Sequence, residues 1–432
     1  MKKAIRIASG AALITALMAS ASYAGGFSRG GVNIDLLFSE KKADFEAGVT
    51  FVAPQRTVDS ATRIFNLATL SGIPGQTPVS STNIDNSVGF FVPRVAGKIG
   101  LTDNLDCLGT FGTPFGADLE NGLNNALSSS SVDFSIDTRD YGLTCSVKFD
   151  GGWTPLGKGQ VRLIGGGSYL ETEGFLSRQS LIDFTGLTGF SPALTGANTE
   201  GVGLFNIEDQ SFGWRVGAAY EIPSIKALVS VVYSSAYTLN LTGTVNITAF
   251  NTPAALLSGG PVPIFLDETE FPQQLDIKIQ SGIAPGTLAF LNFNWTDWSV
   301  LQSIPVNGVP DPITPGATAA TFFEPLYRDG YTVTAGLGRE FNENISGRLA
   351  LTWDRGTSTT IGSQSDTWTL SSGIRITPHE NKNLSLQVGG AVGILTSGST
   401  SGIGQISLST PSAQTFGTDF IGAANVTGKL KF

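Results

Sequence analysis

Histidine and cysteine are nearly absent from this sequence, which limits the chemistry that it can support. The 432 residues include one histidine, His379, and two cysteines. Enzymes that move protons or activate a nucleophile usually use a histidine, and His379 follows Pro378 in what reads as a short surface turn. One histidine and two separated cysteines also cannot form a closed zinc site. We therefore expect no enzyme activity, no metal and no cofactor.

Long apolar runs are also missing after the first 24 residues. A membrane-spanning helix needs about 20 consecutive apolar residues, so a helical inner-membrane protein is disfavoured. Charged residues make up only 14% of the chain, yet the mean hydropathy is just +0.12. The apolar residues must therefore be spread over many short segments, as in a membrane barrel whose strands have one apolar and one polar face.

The N-terminus has the pattern of a secretory signal peptide. Lys2, Lys3 and Arg6 precede a mostly apolar stretch, and the small residues around Ala24 predict cleavage after that residue. Removing residues 1–24 takes three positive charges from a chain with a formal charge of −9, which leaves −12. An exported acidic chain is not expected to bind nucleic acid.

Many later segments alternate apolar and polar residues, which indicates strands with two different faces. In the last segment Phe420, Val426 and Phe432 share one face, whereas Asn425 and Lys429 lie on the other. We count about 14 such strands, an even number as bacterial barrels have. They start near residues 45, 86, 105, 137, 160, 207, 226, 272, 287, 328, 345, 365, 383 and 418. The sequence therefore predicts an all-β fold, a transmembrane antiparallel β-barrel over residues 45–432.

Short and long connections alternate between these strands. The predicted short turns are Asp103-Asn104, Pro223-Ser224, Pro285-Gly286, Asn342–Asn344 and His379–Asn383. The long links lie near residues 55–84, 115–136, 173–206, 242–270 and 304–326. This alternation is typical of a barrel with periplasmic turns at one rim and extracellular loops at the other.

Aromatic residues near the strand ends are expected to form girdles at the two membrane interfaces. The candidates are Trp153, Trp295, Trp353, Trp368, Tyr220 and Tyr237.

Strand parity places both aromatic rings and cations on the inward face. The candidate ligand-binding residues there are Phe90, Phe290, Arg94, Arg162, Arg215 and Arg348, together with Phe184, Phe190 and Phe265 in the long loops. An apolar channel with a few cations would suit a fatty acid, because each buried methylene contributes about 0.8 kcal/mol and a cation can bind the head group. Alternatively, the cations pair with inward acids, such as Arg348 with Asp354 or Lys278 with Asp276, and the apolar loop residues pack on one another.

The two cysteines lie on neighbouring predicted strands, Cys107 on the third and Cys145 on the fourth. Both are close to the same turn rim and share a parity, and the chain is expected in an oxidising compartment. We expect a disulfide, while a register error of one residue would instead leave two free thiols.

Several short motifs are shared with a known family. The segment Asn294-Trp295-Thr296-Asp297-Trp298-Ser299 contains a Trp-Thr-x-Trp-Ser pattern. This pattern resembles an element of the FadL family of outer-membrane transporters for hydrophobic molecules. Phe91-Val92-Pro93, Pro114-Phe115-Gly116 and the terminal Phe432 stand where the family has similar elements. The resemblance extends over essentially the whole mature chain.

The resemblance implies a 14-stranded barrel whose lumen is blocked by an N-terminal hatch, here residues 25–44. It also implies sideways release of the ligand where the third strand kinks. Gly109, Gly112 and Pro114 are the candidate gate residues, because glycine and proline weaken strand pairing. The chain departs from the family at Asn33-Ile34-Asp35, where better-known members have Asn-Pro-Ala.

The expected function is passage of hydrophobic compounds, with long-chain fatty acids favoured, through the outer membrane of a Gram-negative bacterium. The expected partners are that ligand, membrane lipid and the barrel assembly machinery, which would recognise Phe432; the barrel is expected to be a monomer. A general diffusion porin and a surface adhesin barrel are the alternatives. The apolar loops and lumen disfavour the porin.

Overall fold

A computed structural model describes residues 25–64, 78–180, 201–247, 260–310, 318–359, 362–401 and 413–432. Its main feature is a closed antiparallel barrel of 14 strands. The strands are β1 (Ala43–Gln55), β2 (Phe90–Gly100), β3 (Leu105–Gly112), β4 (Asp133–Thr154), β5 (Gly157–Ser180), β6 (Gly201–Ile222), β7 (Ala227–Ser234), β8 (Gln274–Ala284), β9 (Thr287–Thr296), β10 (Gly330–Glu340), β11 (Ile345–Asp354), β12 (Thr367–Ile376), β13 (Leu384–Leu395) and β14 (Asp419–Lys431).

Each strand pairs with the next one along the chain, and β14 closes the barrel against β1. The closing register runs from Asp44 opposite Lys431 to Gln55 opposite Phe420. The all-β barrel and its 14 strands are confirmed, and the barrel begins at Ala43 instead of residue 45. Because the barrel closes, the first and last strands leave no free edge, and the backbone polar groups of β1 and β14 bond to each other.

Shorter strands and 3₁₀-helices fill the connections. The additional strands are Thr57–Ile64, Pro78–Asp85, Gly116–Glu120, Tyr237–Leu239, Thr242–Ile247, Val262–Leu266, Thr269–Phe271, Ile304–Pro310, Thr318–Phe323, Gly398–Ser401 and Ala413–Phe416. The 3₁₀-helices are Asp35–Phe38, Pro223–Ile225 and Trp298–Val300. None of the helices in the described ranges is long and apolar enough to cross a membrane.

The outer face of the barrel is apolar, as strand parity predicts. Large side chains such as Phe91, Leu143, Val216, Leu349 and Val392 point outward and are exposed. An aromatic girdle surrounds the rim with the long loops, and its neighbouring ring pairs are Phe51 with Phe91, Phe111 with Tyr141, Tyr169 with Phe212, Trp214 with Tyr233 and Trp353 with Trp368. This is the architecture of a multi-pass protein of the Gram-negative outer membrane.

One residue expected in the girdle is inside the barrel. The hydroxyl of Tyr237 donates to Asp140 Oδ2 at 2.8 Å and lies 2.6 Å from Ser168 Oγ. The girdle prediction was wrong for Tyr237 because the strand Tyr237–Leu239 pairs with Thr269–Phe271 in a separate two-stranded sheet.

Residues 25–42, which we call the N-terminal segment, run inside the barrel before β1. Ile34, Leu36, Leu37 and Phe38 pack against inward-facing residues of the wall: Ala96, Leu108, Ile164, Ala219, Leu228 and Val232. The carbonyl of Leu37 accepts a hydrogen bond from Arg162, and the carbonyl of Lys41 accepts one from Lys98. The segment therefore occupies the lumen on the side of the short turns.

Cys107 of β3 and Cys145 of β4 stand directly opposite each other and form a disulfide, with their Cα atoms 4.0 Å apart. Both belong to the outward parity of their strands, beside Ile99, Leu143 and Val147. The bond thus lies on the outer face of the wall and joins two neighbouring strands.

We expect the disulfide to stabilise the barrel in solution. The double variant Cys107→Ser/Cys145→Ser should convert from the folded to the unfolded gel band at a lower temperature, because a disulfide typically contributes about 2–4 kcal/mol. Thiol labelling of the unfolded, unreduced wild-type protein should give no signal. Two reactive thiols per chain would show that the bond does not form.

Candidate functional site

The third strand of the barrel is interrupted at residues 113–115. Before the interruption, on the side of the short turns, β3 pairs with both β2 and β4. Its last pairs are Gly112 with Arg94 of β2 and Gly112 with Asp140 of β4. After the interruption, on the side of the long loops, the strand Gly116–Glu120 continues to pair with β4. Residues 90–93 of β2, all of them described, pair with β1 alone. The barrel wall therefore has a gap in its pairing between β2 and the third strand.

The N-terminal segment supplies the missing pairing at this interruption. Arg29 N donates to the carbonyl of Pro114 at 2.9 Å, and Gly116 N donates to the carbonyl of Phe27 at 2.7 Å. Ser28 forms an isolated β-bridge with Phe115. Residues 27–29 thus act as a short internal strand that draws the interrupted stretch toward the lumen.

The guanidinium group of Arg29 stands beside the gap. It forms an ion pair with Asp118, lies 3.2 Å from Asp137, and sits 4.7 Å from the centre of the Phe90 ring. Gly116 makes room for it, since a Cβ there would overlap with the guanidinium. Arg29 therefore links the N-terminal segment to both sides of the interrupted wall.

An aromatic cluster lies above the N-terminal segment, beneath the long loops. Trp298 is fully buried at its centre, with its ring edge-on to the rings of Phe27, Phe115 and Tyr327. A side chain at Gly26 would clash with the indole ring, so the segment passes close to Trp298 only because residue 26 is glycine. Trp298 of the Trp-Thr-x-Trp-Ser element therefore holds residues 26 and 27 of the N-terminal segment in position.

A cavity of about 200 Å³ opens next to this cluster. Its apolar lining includes Phe27, Phe90, Leu119, Leu127, Phe134 and Phe323. Asp118 and Glu324 add acidic groups, and Arg56 adds a cation. The Arg56 guanidinium is already bound to Asp419 at 3.1 Å, the carbonyl of Gly417 at 3.0 Å and Ser365 Oγ at 2.6 Å. The cavity borders the wall gap through Phe90 and Gly116.

Most of the predicted lumen cations are paired with acids. Arg94 lies 3.0 Å from Glu46, and Arg215 lies 4.0 Å from Asp140. Arg162 lies 2.8 Å from Asp106 and also binds Glu221. The alternative of inward ion pairing therefore describes these three arginines, which are not placed to receive a ligand carboxylate.

Lys278 also pairs, although with a different acid from the one considered. Its ammonium lies 2.6 Å from Asp35 in the N-terminal segment, not in a salt bridge with Asp276. Asp35 stands at the position where the sequence departs from the Asn-Pro-Ala pattern. Here that departure gives the segment an ionic contact with β8.

Arg348 is the exception among the candidate arginines. Its guanidinium lies 4.5 Å from the centre of the Phe290 ring, and within the described residues its Nε and Nη1 have no hydrogen-bond acceptor. The expected pair with Asp354 does not form. Arg348 lines a second, polar cavity of about 130 Å³ with Lys278, Asp276, Asn294 and Thr352. Ser28 lines both cavities, so the N-terminal segment separates them.

The predicted aromatic ligand contacts divide into three groups. Phe90 lines the apolar cavity, and Phe290 is buried beneath Arg348. Phe265 is 53% exposed between the buried Ile264 and Leu266, so it does not line the interior, and its role in a loop site stays a prediction. Phe184 and Phe190 lie outside the described residues.

The candidate gate residues are near the interruption but not all at it. Gly109 is paired on both sides, with Gly97 and Leu143, and so lies in the regular part of β3. Gly112 is the last paired residue, and Pro114 lies within the interruption. The expectation that Gly109 marks the kink was therefore wrong, because the strand departs four residues later, where Phe27 and Arg29 bind it.

Sequence reasoning did not single out Phe27, Arg29 or Asp118. Arg29 could have been noticed as a cation in a short segment otherwise assigned to the lumen. Asp118 follows the Pro114-Phe115-Gly116 motif by two residues, but nothing in the sequence joins it to Arg29, from which it is separated by 89 positions.

Comparisons with solved structures agree with this architecture. A FadL homologue from Pseudomonas aeruginosa matches with a TM-score of 0.74 and 14% identity, over 92% of both chains. The toluene transporter TbuX of Ralstonia pickettii matches with a TM-score of 0.58 and 14% identity, over 94% of this chain and 95% of that one. CymD, a monoaromatic hydrocarbon channel, matches with a TM-score of 0.56 and 13% identity, over 95% of this chain and 99% of that one.

These likenesses define the class of protein: a 14-stranded outer-membrane barrel with the FadL-type fold. No family model matches the sequence, and no curated protein matches it either. At these identities the likeness shows the shared fold, and the ligand has to be argued from the residues of this chain.

We expect Trp298 to be essential for the packing above the N-terminal segment. Trp298→Ala should destabilise the barrel by about 3–5 kcal/mol, because it removes a fully buried ring and leaves a cavity. The temperature at which the folded gel band disappears should fall. Trp153→Ala is the matched control, since Trp153 is 83% exposed; equal effects of the two variants would contradict the anchoring role of Trp298.

Proposed function

We propose that this protein admits hydrophobic compounds through the outer membrane and releases them sideways into the bilayer. The observation that carries the proposal is the apolar cavity beside an unpaired stretch of the barrel wall. A compound in the cavity has Phe90 and Gly116 between it and the membrane, while residues 34–41 fill the lumen toward the short turns. The hatch role of the N-terminal segment is part of this proposal.

Sideways release is favoured by the physical chemistry of the cargo. A direct path to the periplasm would expose each methylene to water at a cost of about 0.8 kcal/mol. The gap between β2 and the third strand instead leads to an outer face flanked by Phe91 and Phe111, which are apolar. A hydrophobic compound can therefore move from the cavity to lipid without crossing water.

The cavity by itself favours a small uncharged compound. An apolar cavity of about 150 Å³ is enough to bind benzene, and this one measures about 200 Å³. Its described lining has one cation, Arg56, which is already bonded to Asp419. The solved proteins named for toluene and monoaromatic hydrocarbons support a ligand of this size for the same fold.

Long-chain fatty acids remain the second candidate class. Arg348 is the described lumen arginine that is positioned to bind a carboxylate, but it lies in the polar cavity beyond Ser28. We propose that a fatty acid would extend through both cavities, which requires the N-terminal segment to move at residues 28–33. The neighbours are channels, and this supports neither an enzyme nor an adhesin. The filled lumen disfavours a general porin.

The remaining partner assignments are also proposals. Phe432 is 69% exposed on the outer face, and its amide donates to the carbonyl of Ala43 at 2.8 Å, so its ring is available to the barrel assembly machinery. The closed barrel satisfies its own strand edges, which supports a monomer.

Closing the wall gap should block transport. In the register of β2 and β3, Pro93 and Thr113 are the next pair above Arg94 and Gly112. A disulfide in Pro93→Cys/Thr113→Cys should extend the pairing across the gap and reduce uptake of labelled toluene at least fivefold in whole cells, with recovery after reduction. A fivefold reduction corresponds to a rise of about 1 kcal/mol in the free-energy barrier to exit. We expect at least this rise when the gap becomes narrower than one aromatic ring.

A matched pair provides the control. Leu351 and Leu370 are register partners on the outer face of the regular wall, away from the gap, so Leu351→Cys/Leu370→Cys should form a cross-link without changing the gap or the uptake. Unchanged uptake in both cross-linked variants would rule out exit between β2 and the third strand.

The role of Arg348 separates the two ligand classes. Arg348→Gln should raise the half-saturating concentration of oleate by roughly tenfold, because a hydrogen bond to a charged group contributes about 1.5–3 kcal/mol. Toluene uptake should not change. Arg339→Gln, an exposed position that bonds to Thr287 at the other rim, is the control. If the Arg348 variant takes up oleate normally, the polar cavity does not bind the head group.

A further inference from the structure

Asp354, the last residue of β11, has a buried carboxylate that is only partly satisfied. The residue is 1% exposed. Thr332 Oγ1 donates to its Oδ2 at 3.1 Å, but its Oδ1 has no hydrogen-bond partner within the described residues. None of the lysines and arginines in those same ranges forms a salt bridge with it, in contrast to Asp35, Asp106 and Asp140. A buried carboxylate without a cation is strongly disfavoured.

Gly25 lies against this carboxylate. A Cβ on Gly25 would be 3.3 Å from Oδ1 and 3.9 Å from Oδ2 of Asp354. The residues around it are held firmly: Ser28 N donates to the carbonyl of Gly25 at 3.0 Å, and Gly26 N donates to Thr357 Oγ1 at 3.0 Å. Gly25 is itself buried. The start of the N-terminal segment therefore has a fixed position beside Asp354.

The backbone nitrogen of Gly25 is also close to the acid. In standard geometry a backbone nitrogen is about 2.5 Å from the Cβ position of its own residue. This places the nitrogen of Gly25 within roughly 6 Å of Oδ1 of Asp354. Rotation about the Cα–C bond of Gly25 can bring the nitrogen closer while the carbonyl keeps its hydrogen bond with Ser28. If the signal peptide is removed after Ala24, this nitrogen becomes a primary amine. Such an amine is largely protonated at neutral pH, because its usual pKa is about 7.7–8.0.

We propose that the new N-terminal ammonium of Gly25 is the cation that pairs with Asp354. Asp354 is then a positioning residue, which fixes residues 26–28 and thereby the ring of Phe27 in the wall of the apolar cavity. The pair forms only in the processed chain, so signal-peptide removal completes the lumen. The inference rests on the predicted cleavage site and does not depend on which compound is transported.

The test measures the amine directly on mature protein purified from outer membranes. N-terminal sequencing should first find Gly25. The folded protein is then treated with an acetylating N-hydroxysuccinimide ester at pH 7, and the N-terminal peptide is quantified by mass spectrometry relative to the exposed Lys382. In Asp354→Asn the amine should react about tenfold faster than in wild type, because loss of the carboxylate lowers the amine pKa by about one unit.

Two comparisons keep the test decisive. Thr332→Val removes a hydrogen bond to Asp354 but leaves the charge, so its amine should stay as protected as in wild type. If Asp354→Asn does not fold, the pH dependence of acetylation in wild type alone should give an amine pKa above the usual range of about 7.7–8.0. A first residue other than Gly25, equal rates in wild type and Asp354→Asn, or a wild-type pKa within or below that range would overturn the proposal. Transport assays do not enter these outcomes.

Discussion

A backbone amide or carbonyl that faces hydrocarbon has to find its hydrogen-bond partner within the protein. This constraint explains why the barrel closes β14 on β1, and it also limits how the wall can open. The interrupted third strand meets the constraint by exchanging partners: where it leaves β2, Pro114 and Gly116 bond to the backbone of Arg29 and Phe27. An opening in the wall and an N-terminal segment inside the lumen are therefore two parts of one arrangement.

The lumen follows a related rule for charge. Arginines and lysines that enter it are matched by acids on neighbouring strands or on the N-terminal segment, as with Arg162 and Asp106 or Lys278 and Asp35. The pairing ties the segment to the wall on several sides. The aromatic cluster around Trp298 and the apolar cluster around Leu37 fill the space between these contacts. Arg348 and Asp354 depart from this rule, because each has buried polar atoms without a hydrogen-bond partner and forms no salt bridge within the described residues.

Strand number, strand positions and the inward face were predictable because apolar and polar residues alternate within each strand, and this pattern can be read from the strand's own sequence. Phe90 and Arg348 were placed inward on this basis alone. The partners of inward residues were not predictable, since Arg162 meets Asp106 and the carbonyl of Leu37 at separations of 56 and 125 residues. The kink was located only approximately. Glycine and proline indicate where strand pairing is weak, but the point at which the third strand leaves β2 depends on its backbone hydrogen bonds with Phe27 and Arg29. Tyr237 was misplaced because it lies in a short strand outside the barrel sheet, where the parity of the wall does not apply.

The disulfide between Cys107 and Cys145 has a consequence for the order of events during biogenesis. Its sulfur atoms belong to the outward face of β3 and β4, where Ile99, Leu143 and Val147 mark the surface that faces lipid. Thiol–disulfide exchange proceeds through a thiolate, and a hydrocarbon environment disfavours that ion. Oxidation is therefore favoured while the chain is still in the aqueous periplasm. A hairpin of β3 and β4 that is closed at that stage would enter the membrane with its register already set next to the gap.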